Sequence, residues 1–198
     1  SNKTEIQLKI FNNSKNNLGL VYGAYVQIDD NNIDKELVIF PKIKNNVYPI
    51  LGLNHIGPPS MVMFTKSAVE RTGEFDVLLN HKEDIDFYYR LSEHYNVSFT
   101  NEIVMKYHVH SGAASKNDGD RLIKMQRFLE KHKQKMIQPK IRWSELQERL
   151  GELYAINKNK EKAFKTFFLA YVNRPFRFSI LAKMILLLIG LSQPNKRK

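Results

Sequence analysis

The sequence predicts an α/β chain: a mixed sheet of short strands interleaved with helices over residues 1–118, then an all-helical region over 119–198. Three observations predict it. Residues 18–28 are an apolar, aromatic and β-branched run with one polar residue, Gln27, near its end, the pattern of a buried strand. Shorter runs at 61–64, 97–99 and 103–110 alternate with segments of helical period. From Asp120 onward the apolar residues recur at spacings of three and four, with no strand pattern.

Composition narrows the classes. A chain of 198 residues has room for one sizeable core, or for one domain with a helical appendage. Apolar residues at 42% and aromatics at 11% exclude a disordered chain. Cysteine is absent, which excludes disulfides, thiolate metal sites and cysteine nucleophiles and fits a reducing compartment. The formal net charge of +11 points to an anionic partner: nucleotide phosphates, a lipid surface or nucleic acid. The cations are scattered without helix-turn-helix, aromatic RNA-binding or zinc-finger spacing, so nucleic acid is not expected. No basic start followed by an apolar run opens the sequence, and a cytoplasmic location is expected.

Ile6, Leu8, Ile10 and Phe11 give a short helix, ended by the polar cluster Asn12-Asn13-Ser14-Lys15-Asn16-Asn17. After the first strand, Asp29-Asp30-Asn31-Asn32 reads as a turn, with a metal pair as the alternative. Residues 36–47 are expected to be irregular or weakly extended. Next, Gly57-Pro58-Pro59 fixes the backbone at low entropy cost and delivers Ser60 into the strand 61–64. That loop suits a pocket wall, with His55 and Ser60 as substrate contacts, as well as an ordinary turn. Residues 65–71 read as a helix stopped by Gly73.

The stretch from Asn80 to Leu91 packs three carboxylates into four positions before an apolar run. As a helix it places Asp84, Phe87 or Tyr88, Leu91 and Tyr95 along one face. Glu83, Asp84 and Asp86 fall in the first turn, where the macrodipole favours negative charge. Arg90 lies four residues after Asp86, the distance for an ion pair along the helix. Two readings stand: a well-made helix start, or a carboxylate fixed on a rigid element as a general base.

Two short strands follow, 97–99 and 103–110, and in the second Val104, Lys106, His108 and His110 share a face. The two imidazoles fit either metal ligation or a polar strand face. Ser111-Gly112-Ala113-Ala114-Ser115-Lys116 either wraps an anionic group or only connects. Residues 120–137 form a basic amphipathic helix with Leu122, Met125, Leu129 and Met136 in its stripe, broken by Pro139. Ser144-x-x-Gln147 has the form of a capping box. Gly151, Tyr154, Ala163, Phe167, Ala170 and Pro175 follow tetratricopeptide spacing over one repeat, with Gln147 at the usual tryptophan position. One repeat cannot bury its own face, so it is expected to pack on the rest of the chain or on a third helix, residues 176–191. That apolar run is too short to span a bilayer and is interrupted by Lys183. With Lys196-Arg197-Lys198 behind it, peripheral contact with the inner face of the cytoplasmic membrane is the alternative to packing.

Several of these pieces come in a telling order: Val21-Tyr22-Gly23-Ala24-Tyr25, Pro59-Ser60-Met61-Val62-Met63-Phe64, Gly73-Glu74-Phe75-Asp76, Glu83-Asp84-Ile85-Asp86 with Arg90-Leu91, and Tyr107-His108-Val109-His110 with Ser111 and Ser115. Their order and separations over residues 3–116 resemble the acceptor-side half of a family 2 glycosyltransferase of the GT-A fold. The helical C-terminal third looks like the appendage many bacterial members carry. The resemblance implies inverting transfer of a sugar from a nucleotide-sugar donor to a glycan or lipid-linked acceptor, in polysaccharide biosynthesis at the cell envelope. It implies that Asp84 takes the acceptor hydroxyl proton, with Glu83 beside it, while Asp86 and Arg90 shape the substrate site. His110 would face a divalent metal, Mn2+ or Mg2+, or the diphosphate, and Lys116 would stabilise the departing diphosphate.

The family's nucleotide-binding half, with its parallel strands and Asp-x-Asp metal motif, would precede Asn2. Asp29-Asp30 follow the Val21-Tyr22-Gly23 strand and do not substitute for it. The expectation is therefore a fragment, or a chain that pairs with a separate one, inactive alone. A non-catalytic module that recognises a glycan or docks a partner is the competing expectation.

Overall fold

The central strand β1 (Leu18–Ile28) organises the first half of the chain, because every other strand pairs with it. The computed structural model describes residues 2–14, 17–28, 34–38, 56–79, 82–108, 118–136 and 140–190. Among these residues the architecture is mixed α/β, with a four-stranded mixed sheet and seven α-helices. The chain divides into two units, Ser1–Val77 with Glu83–Ala113, and Leu78–Lys82 with Ala114–Lys198.

In the first unit β4 (Asn96–His108) runs parallel to β1 along its whole length, from Leu18 opposite Asn96 to Ile28 opposite His108. A strand has two hydrogen-bonding edges, so β2 (Asp34–Val38) and β3 (Val62–Phe64) share the other one. Both are antiparallel: β3 pairs with Leu20, Val21 and Tyr22, and β2 with Tyr25 to Ile28. A parallel neighbour requires a crossover, and the segment between β1 and β4 supplies it with α2 (Lys66–Thr72) and α3 (Glu83–Ser92). Leu20, Val21, Tyr22 and Ala24 of β1 are buried, as the apolar run requires of a strand covered on both faces. Helix α1 (Lys3–Asn13) lies against β1 and contributes one buried side chain, Gln7.

Two strand expectations need correction. The two strands expected at 97–99 and 103–110 are one strand, β4, through residue 108. Its register shifts where Tyr22 pairs with Phe99 and Ala24 with Ile103. Asn101 and Glu102 break the alternation of side chains, yet the chain bulges and resumes pairing with β1. Residues 36–38 also form regular strand, because the open edge of β1 offers them a ladder. The turn at 29–32 and residues 39–47 lie outside the described residues.

The second unit is helical: α4 (Asp118–Met136), α5 (Lys140–Ile156), α6 (Lys160–Asn173) and α7 (Phe178–Leu188). Helices α5 and α6 form the tightest pair. Gly151 faces Phe167, so near that a β-carbon there would sit 2.6 Å from the ring. Ala163 and Ala170 are fully buried on the facing side of α6. The capping-box expectation at Ser144 fails, since α5 begins at Lys140 and Ser144 lies within it. Its hydroxyl instead donates to the Ala170 carbonyl at 2.7 Å, joining the two helices inside the core. The α4 stripe holds at Met125 and Leu129 but is completed by Phe128 and His132. No helix among the described residues is long and apolar enough to cross a membrane.

Candidate active site

Helix α3 carries the acidic stretch, and its aromatic residues fix where that stretch lies. Phe87 and Tyr88 are buried, and Phe64 of β3 meets the Phe87 ring edge-on at 5.1 Å. Phe75, from the loop before α3, stacks at a tilt on Phe87 at 4.7 Å. The Tyr88 hydroxyl donates to the Gly57 carbonyl at 3.4 Å, which ties α3 to the Gly57-Pro58-Pro59 loop. Asp84 precedes Tyr88 by four residues and so lies on the same face of the helix, one turn nearer its start. The proline loop is thus bonded to α3 one turn beyond the acidic residues.

The proline loop is held from its other side by α1. The Lys3 ammonium donates to the carbonyls of Ser60 at 2.6 Å and Val62 at 3.2 Å. Burial lowers the pKa of Lys3 below the ordinary lysine value. Gln7, fully buried, donates through Nε2 to the carbonyls of Val21 at 3.0 Å and Met61 at 2.9 Å. With its backbone so bound, the 3-10 turn Pro59–Met61 leaves Ser60 exposed to solvent. Lys3 and Gln7 are the positioning residues that sequence reasoning missed, while Tyr88 was read only as part of the apolar face of the helix. For Lys3 and Gln7 the available signal was their i, i+4 spacing, which puts both on one helix face.

Within the acidic turn the three carboxylates differ. Asp84 is half-buried, and one of its oxygens accepts the Ile85 N–H at 2.7 Å, which restricts the side-chain rotamer. Glu83 is half-buried too, and its Oε2 is shielded from solvent with no hydrogen-bond partner among the described residues. Asp86 is fully buried and accepts from Arg90 Nε at 2.9 Å. Arg90 continues outward: it donates to the Glu74 carbonyl at 2.8 Å and to the Thr72 carbonyl, and its guanidinium lies over the Phe87 ring at 5.5 Å. The ion pair expected from the spacing is present, and it clamps the turn at Gly73, where φ is +80°, to the flank of α3.

Of the residues singled out from sequence, Ser60, Glu83, Asp84, Asp86 and Arg90 are therefore placed in one unit. His55, His110 and Lys116 lie outside the described residues. His108 ends β4 and is exposed. Among the described residues no three His, Asp or Glu side chains converge as metal ligands would. Comparison with known proteins adds no relative: the chain matches no family model and no curated protein.

Proposed function

We propose that this chain carries the acceptor-side part of an inverting sugar transferase, with Asp84 as the general base. In this reading the first unit is the acceptor-side half of a GT-A fold, and α5–α6 is a single tetratricopeptide-like pair. The observation that carries the proposal is the position of Asp84. It stands in the first turn of a helix anchored by Phe87 and Tyr88, with one carboxylate oxygen held by the Ile85 N–H. A general base must be held on a rigid element, and the anchoring of α3 supports that part of the reading.

The chemistry follows from that placement. An acceptor hydroxyl attacks the anomeric carbon of a nucleotide-sugar as the diphosphate departs, and Asp84 takes the hydroxyl proton. The new glycosidic bond forms on the face opposite the leaving group, so configuration inverts. Glu83 stands beside Asp84 in the same turn, its part in the site being the one the resemblance implies. Asp86 and Arg90 support the site by holding the Thr72–Glu74 turn against α3. The divalent metal that the resemblance implies is assigned to none of the described side chains, and His110 and Lys116 keep their proposed parts toward the diphosphate.

The test is Asp84→Asn in the native gene product that contains this chain. Loss of sugar transfer with acceptor binding retained supports the base. Unchanged transfer overturns it, and binding of a glycan without any transfer by the unaltered protein favours the non-catalytic module.

A further inference from the structure

A surface helix ordinarily turns polar side chains outward, and α7 does not. Its inner stripe, Ile180, Met184 and Leu187, is buried in the helical unit. The adjoining, outward side carries Phe178, Leu181, Ile185 and Leu188, between 36% and 70% exposed, with Ile189 just past the end at 59%. The helix has one charged residue, Lys183, and it is turned to the flank, where it pairs with Glu148 at 2.5 Å and with Glu152. A helix that is apolar on its exposed stripe as well as on its buried one fits nonpolar surroundings on both. At 11 residues it is about 16 Å long, too short to cross a bilayer and long enough to lie in one.

Charge identifies what lies against the open face. Residues 114–198 hold 20 of the 31 Lys and Arg but only 7 of the 20 Asp and Glu, so the cationic excess of the chain sits in the unit that carries α7. A second copy of the chain would carry the same excess of cations, which opposes its association. An anionic surface is attracted. We propose that the outer face of α7 inserts at the boundary between headgroups and acyl chains of an anionic phospholipid bilayer, with the helix in the membrane plane. This docking does not depend on the transferase reading.

The experiment is flotation of the full chain with vesicles of phosphatidylcholine alone and of equal parts phosphatidylcholine and phosphatidylglycerol. Binding is expected to the mixed vesicles, weakened by salt but not abolished, because only the electrostatic part is screened. Ile185→Glu with Ile189→Glu is expected to reduce binding by about tenfold or more, since two large aliphatic side chains leave the nonpolar phase. Both positions are exposed, so the thermal melt should hold. The chain has no cysteine, so Ile189→Cys accepts a single environment-sensitive dye, whose emission should shift to the blue on adding mixed vesicles. That label tests the proposal even if the double variant does not fold. No binding and no blue shift overturns it, as does equal binding by the folded double variant. A dimer in ultracentrifugation that the double variant dissolves assigns the face to a second copy instead.

Discussion

Asp86 and Arg90 stand one helical turn apart on α3 and form an ion pair of 2.9 Å in which the carboxylate is fully buried. The guanidinium also binds the carbonyls of Thr72 and Glu74, so the pair joins helix, turn and loop in one cluster. Removing Arg90 takes its ion-pair partner from a buried carboxylate. Arg90→Ala is expected to cost about 3–5 kcal/mol, the range for breaking a buried pair from one side. Replacing both, Asp86→Leu with Arg90→Met, should cost much less than either single removal, because no buried charge remains. Urea unfolding of the full chain checks this. Arg90→Lys should recover only part of the loss, since an ammonium cannot reproduce the forked contacts.

Gly151 tests packing against propensity. Alanine is better than glycine in a helix interior by about 1 kcal/mol. The β-carbon at this position would lie 2.6 Å from Phe167 Cδ1 and 2.7 Å from Cε1, so the α5–α6 pair must separate or the ring must move. Gly151→Ala is therefore expected to destabilise the helical unit by about 1–3 kcal/mol, the cost of overpacking. Adding Phe167→Leu should relieve part of that clash. Thermal melting followed by circular dichroism reads both.

Much of this was legible in the sequence, and the misses share a cause. β1 was readable because a long, almost wholly apolar run needs cover on both faces, and the Asp86–Arg90 pair because helix spacing alone brings those groups together. What failed depended on partners distant in sequence. The Ser144 motif has the form of a cap, but its hydroxyl answers to Ala170, on another helix. The interruption at Asn101 and Glu102 looks like the end of a strand, yet β1 keeps the chain in register beyond it. Lys3 and Gln7 hold the proline loop through backbone carbonyls, and no side-chain pattern in that loop signals who will bind them.

Tyr89 gives a pH signature. Burial first, then the charge of Glu93 and a hydrogen bond to it, push its pKa up from 10.0 to about 12. The fold thus favours the neutral phenol. The associated stability is fully present below pH 10, and it is lost as pH rises from there through about 12, where the unfolded chain ionises first. Tyr89→Phe should flatten that alkaline decline. Glu93→Gln should lower the Tyr89 pKa only in part, because burial remains. Absorbance titration of tyrosinate against stability at each pH checks both.

The central claim rests on the Asp84 carboxylate, and its most direct test is steady-state sugar transfer by the native gene product carrying Asp84→Asn. Removing a general base is expected to lower kcat by about 10²–10⁴-fold. Acceptor affinity should stay near its original value, because asparagine keeps the shape and the oxygen that accepts the Ile85 N–H. An Asp84→Asn protein that transfers sugar at the unaltered rate would contradict the account.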